Sequence, residues 1–227
     1  RFRFGFQRKA TLTNLGTETV SLEVLDGLQN IMPCGVPSGL QQASSNLVNA
    51  YKETQLEPQT GMGMFSLSAI IIDRAEPSEA LRCNVAWQVG LDNPTHLLSS
   101  AQVPAFRKGL PLKEETLVKG ECGAYLLSTS MTLQAEEKKT WTIIADVMKD
   151  QTEVVALREM QKHISMQTAL DEDLKNATAL LVQLVAQADG IQTTSDKART
   201  ARHFSNTMFN IMRGGIPMDT PTPENQS

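Results

Sequence analysis

The chain has 227 residues, of which 41% are apolar and 20% charged, with a formal net charge of −4. That length allows one or two domains with a real core, and the acidic balance argues against a nucleic-acid or anionic-membrane partner. No stretch reaches the ~18 consecutive apolar residues of a membrane span, and the basic, phenylalanine-bearing start lacks the apolar segment of a signal peptide.

Arg1 to Phe6 alternates basic or small residues with phenylalanine, the period of a half-buried strand. Asn14 and Gly16 suit a turn, after which Val20, Leu22 and Val24 resume the alternation. An opening hairpin is expected, starting inside a sheet as a piece of something larger. Two prolines and two glycines in Pro33–Gly39 predict a loop. Leu40–Tyr51 fits either a short helix or an extended polar segment. Glu57–Gly63 reads as a turn and Met64–Asp73 as an apolar strand, interrupted by Arg74–Ser78. Leu81–Leu91 carries the clearest strand signal, with Leu81, Cys83, Val85, Trp87 and Val89 at spacing two. Asp92-Asn93-Pro94 closes it. Ser100–Lys113 reads as loop, and Thr116–Leu133 and Thr140–Met148 as two more strands around the polar turn Gln134–Lys139.

The period changes after Lys149. Asp150-Gln-Thr-Glu153 has the form of a capping box, opening a helix through Val154, Leu157 and Ile164. A second helix is expected over Met166–Ala188, with apolar residues every three or four positions, and Asp189-Gly190 ends it. A third spans about Ser195–Met212, stopped by Arg213-Gly-Gly. Strands first and helices afterwards give an α+β chain. An antiparallel β-sandwich is expected over 1–148, a helical linker over 149–215 and a loose tail over 216–227.

Chemical motifs are sparse. There is no phosphate-cradling glycine loop and no Gly-x-Ser-x-Gly elbow. His96, His163 and His203 are isolated, the readings of surface or packing residues. The acidic neighbours Glu114-Glu115, Glu136-Glu137 and Asp171-Glu-Asp173 fall in turns or helix starts, where solubility explains them. Cys34, Cys83 and Cys122 have neither disulfide-framework nor zinc spacing. No metal or other cofactor is expected, and the dispersed thiols favour a cytoplasmic setting, with a periplasmic one as the alternative. Two constellations remain as candidate substrate-facing groups. Asp73, Arg74 and Glu76 cluster between two strands, where the plain alternative is an exposed turn with a local ion pair. His203, Asn206, Asn210 and Arg213, spaced by three and four, share one helix face, where the plain alternative is a solvated surface. Neither makes a complete catalytic set.

Several stretches together resemble one family. They are Thr11-Leu-Thr-Asn-Leu, Leu25-Asp-Gly-Leu-Gln-Asn-Ile-Met-Pro, Asn46-Leu-Val-Asn-Ala-Tyr-Lys, Asp73-Arg-Ala-Glu-Pro, Leu98-Ser-Ser-Ala-Gln with Phe106-Arg, Arg202-His-Phe-Ser-Asn, and Phe209-Asn-Ile-Met-Arg-Gly-Gly. The chain resembles the β-supersandwich and helical linker of large bacterial proteins related to cellobiose phosphorylase and the phosphorylase part of cyclic β-glucan synthase. The resemblance implies a parent enzyme with an (α/α)6 barrel that cleaves a saccharide with inorganic phosphate and inversion. The barrel would hold the catalytic acid and the phosphate site, so no catalytic residue is carried over to this chain. Carbohydrate and phosphate, the barrel itself and a second copy of the chain are the partners so implied. A free-standing carbohydrate-binding or protein-interaction module is the alternative.

Overall fold

The computed structural model describes residues 4–71, 78–163, 165–188 and 191–214. It divides into two compact units, one ending at Ala169 and the other beginning at Leu170. The first unit is an antiparallel β-sandwich with helices, as the alternation and its order in the chain predict.

Among the described residues, nine strands form two sheets. The larger has the order β1-β9-β5-β4-β3-β7, from β1 (Phe6–Thr13), β3 (Lys52–Glu57), β4 (Met62–Leu67), β5 (Arg82–Val89), β7 (Leu117–Lys119) and β9 (Lys138–Asp150). The smaller has the order β2-β8-β6, from β2 (Val20–Ile31), β6 (Thr95–Leu97) and β8 (Gly123–Leu133). Short helices α1 (Ser38–Ala43), α2 (Ser45–Tyr51) and α3 (Val103–Arg107) fill the connections, which resolves Leu40–Tyr51 in favour of helix and puts one helical turn in the expected 100–113 loop.

The opening hairpin is not formed. β1 pairs with β9 and β2 with β8, so the two strands are edges of different sheets and the chain crosses between sheets at Asn14–Thr19. β8 and β9 make the same crossing at Gln134–Glu137. The reason is the Asn14 side chain. It is buried, and its amide nitrogen lies 2.8–3.1 Å from the carbonyls of Glu18, Leu133 and Gln134, while its oxygen accepts from Gly16 N. With Asn14 N donating to Glu137 O, one residue ties the two corners together. Sheet-to-sheet corners of this kind need their loose backbone groups satisfied locally.

The core lies between the sheets. Phe65, Ala86, Trp141 and Ile143 from the large sheet meet Tyr125 and Leu127 from the small one, with Val24, Leu28 and Met131 at its margin. The outer face of the large sheet is also buried at its centre. Trp87 and Ile144, register partners, point away from the core, and Phe4 meets Trp87 edge-on at 5.9 Å. Helix α4 (Gln151–His163) lies over them, with Leu157 and Met160 lining a cavity of about 150 Å³ beside Trp87. Its start is the predicted capping box. Glu153 N donates to Asp150 Oδ1 at 2.8 Å and Asp150 N to Glu153 Oε2 at 3.1 Å.

Helix α5 (Met166–Gln187) starts in the first unit and continues into the second, and α6 (Lys197–Met212) belongs to the second. The cap of α6 is Asp196, which accepts from Ala198 N and Arg199 N. No helix among the described residues is long and apolar enough to cross a membrane, which leaves β-barrel insertion unaddressed.

Candidate functional site

Period two along the small sheet sorts its side chains into an inner and an outer face. On β8, Tyr125, Leu127 and Met131 point into the core, while Ala124, Leu126, Ser128 and Ser130 point out. Register then aligns outward groups across all three strands. Glu23 of β2 stands opposite Ser130, and Thr95 of β6 opposite Ser128. At one end this face is apolar, where Leu25, Leu97, Ala124 and Leu126 are covered by Val103 of α3 and by Leu112. At the other end it is polar and open.

That open end is the floor of a groove of about 920 Å³, walled by the 106–112 segment and edged by Asp92 and Asn93. Ser130 Oγ donates to Glu23 Oε1 at 2.5 Å, and Lys139 Nζ sits 3.4 Å from Asp92. Phe106 is half-buried in the wall, and Leu110 is exposed.

The wall is held from behind. Glu115 accepts from Leu98 N at 2.7 Å, Ser99 N at 2.8 Å and Gln102 Nε2 at 2.7 Å. The Gln102 amide also pairs with the Lys113 backbone in both directions, at 2.8 and 2.9 Å. The two ends of the 103–112 excursion are thereby clamped together. Glu114 has a separate partner, His96 Nδ1 at 3.0 Å, with the imidazole buried against Gly61. Gly61 has φ +69°, and a side chain there would run into the ring. The Tyr125 hydroxyl, fully buried and pushed up in pKa by that burial, donates to Gly61 O at 2.7 Å.

The stretch Asp26-Gly-Leu-Gln-Asn30 is likewise internal. Asp26 Oδ2 takes Arg8 Nη2 at 2.5 Å and Trp141 Nε1 at 2.7 Å, joining β2 to β1 and β9 across the sandwich. Gly27 lets β8 approach closely, since a Cβ would lie 2.0 Å from Tyr125 O. Asn30 takes φ +56° where the β2–β8 register shifts, and Gln29 donates to Ser100 Oγ at 3.0 Å.

Asp73, Arg74 and Glu76 lie outside the described residues. His203, Asn206 and Asn210 fall on one face of α6, with Arg213 at its C-cap. His203 is half-buried and the other three are exposed, and the Arg213 guanidinium sits 5.3 Å from the Phe209 ring. A groove beside α6 is lined by Thr193, Thr194, Lys197, Thr200, Phe204 and their neighbours, and by none of the four.

The three thiols are free, and Cys83 is pushed up to about 11 by burial and by nearby Cys34. Among the described residues no cluster of three histidine, cysteine or carboxylate groups assembles. The 920 Å³ groove escaped the sequence reading because its floor comes from three strands whose pairing the sequence does not state. The switch within β8 from the apolar Ala124–Leu127 to the hydroxyl-rich Ser128–Ser130 was the available signal. A scan against protein-family models finds no match for this chain, and a search of curated proteins finds no relative.

Proposed function

We propose that the chain is the non-catalytic β-sandwich region of a carbohydrate-active, glycoside phosphorylase-like enzyme. In that role it packs on a catalytic (α/α)6 barrel and helps shape the substrate cleft. The observation that supports this reading is where the resemblance-bearing residues go. Asn14, Asp26, Gly27 and Gln102 all work inside the fold, as sheet-to-sheet fasteners, a close-contact position or a loop clamp. Residues so engaged build a scaffold and leave chemistry to another part of the enzyme. A cytoplasmic setting goes with this reading, supported by the three free thiols.

Incubation of the purified chain with cellobiose, related β-glucosides and inorganic phosphate tests it. No sugar phosphate above the protein-free control is expected. Measurable turnover overturns the non-catalytic reading.

A further inference from the structure

The lining of the groove on the small sheet selects a class of ligand. Its floor presents the hydroxyls of Thr95, Ser128 and Ser130 beside the Glu23 carboxylate, and its rim adds Asp92 and the Arg107 guanidinium. The lining carboxylates Glu23 and Asp92 are set against Arg107 and against Lys139, whose Nζ lies 3.4 Å from Asp92, so no net positive charge draws an anion. A wholly apolar ligand would strip water from these groups and return no hydrogen bond, at a cost of about 1–3 kcal/mol for each group left unpaired. A neutral polyol suits every group. Its hydroxyls donate to the carboxylates, accept from the guanidinium and do both with serine and threonine. Its C–H face has Phe106 and exposed Leu110 to lie against.

We propose that this groove binds a neutral oligosaccharide. Glu23 is the fixed acceptor, Arg107 the donor from the wall, and Phe106 the surface under a sugar ring. At about 920 Å³ the groove is at the upper end of small-molecule sites, which run roughly 300–1,000 Å³, so it has room for more than one ring. The Glu115 and Gln102 clamp keeps the wall in place before the ligand arrives, which lowers the ordering cost of binding. The Ser130–Glu23 hydrogen bond likewise presets the carboxylate. The proposal rests on the carbohydrate-active reading above for its choice of test sugars.

The full chain is titrated with cello-, laminari- and malto-oligosaccharides, with inorganic phosphate as a separate arm, by calorimetry and by amide chemical shifts. Saturable binding of at least one series is expected, with shifts at Ser128–Ser130. Phe106→Ala and Glu23→Gln are each expected to weaken it about tenfold or more. Arg107→Ala is expected to do the same, and because Arg107 is exposed this variant keeps the fold intact. Silence across all three sugar series overturns the proposal. So does affinity unchanged in the Glu23→Gln and Arg107→Ala variants, or saturable phosphate binding that Arg107→Ala abolishes while sugars show none. A silent titration removes the groove and leaves the non-catalytic reading standing, whereas turnover removes that reading and leaves groove binding to be judged by the titration.

Discussion

The two sheets use the same period-two alternation to different ends. In the large sheet both faces are buried at the centre, Trp141 and Ile143 toward the core and Trp87 and Ile144 beneath α4. In the small sheet the inner face packs on the core, with Val24, Leu28 and Met131 partly buried, but the outer face turns from leucine to serine, threonine and glutamate halfway along. The difference lies in what covers each sheet. A helix laid across the outer face demands apolar side chains, so Val85-Ala-Trp87 and Trp141-Thr-Ile-Ile144 read as nearly continuous apolar runs. Where cover stops, alternation shows, as in Leu127-Ser-Thr-Ser-Met131. One sheet supplies stability and the other also supplies a surface.

The contrast is sharpest in paired substitutions on the two outer faces. Trp87→Ala removes a fully buried ring and is expected to cost about 3–5 kcal/mol. Ser128→Ala on the small sheet is expected to stay within about 0.5 kcal/mol. Urea denaturation of both variants checks this, and similar losses would erase the distinction between the faces.

A smaller effect is expected at the joint between the sheets. Asn14→Leu keeps the branched side-chain shape but leaves the Glu18, Leu133 and Gln134 carbonyls without their donor, for a loss of about 1–3 kcal/mol. Faster amide exchange confined to the two corners, with the sheets otherwise protected, is the accompanying signature. Uniform loss of protection would mean that the corners do not act as local fasteners.

The smallest effect belongs to the far edge of the large sheet. Glu53 of β3 is held below its ordinary pKa by the hydrogen bond with Lys119 of β7, against the opposing pull of burial and with help from Gln55. A depressed folded pKa contributes stability that is present above the ordinary value near 4.5 and lost as pH falls through the folded one. Lys119→Met is therefore expected to lower stability by less than about 1 kcal/mol at pH 7. The difference from the parent should vanish in acid. A gap that persists at low pH would assign the loss to packing instead of charge.

Much of the local structure was legible in the residues. The Asp150–Glu153 box, the strand through Trp87, the α5 start at Met166 and the order of strands before helices all follow from short-range patterns. What escaped was encoded at long range. β3 was unread because its buried positions are Lys52, Thr54 and Leu56, so an inward face built partly of polar residues hides the period. The candidate face of α6 was legible as a face, since helical spacing alone places His203, Asn206 and Asn210 together. The groove was not, because Glu23, Thr95 and Ser128 are distant in sequence and become neighbours only through pairing.

By itself, the sequence determined the longer strands and the three C-terminal helices and which side of each is apolar, because these depend on spacing over a few residues, while β3 and the short helices α1 to α3 stayed open. Only the tertiary structure decided that the first two strands part company at Asn14 and enter different sheets. A hairpin and a sheet-to-sheet corner have the same local pattern and differ in which distant carbonyls, here Leu133 and Gln134, the buried amide finds.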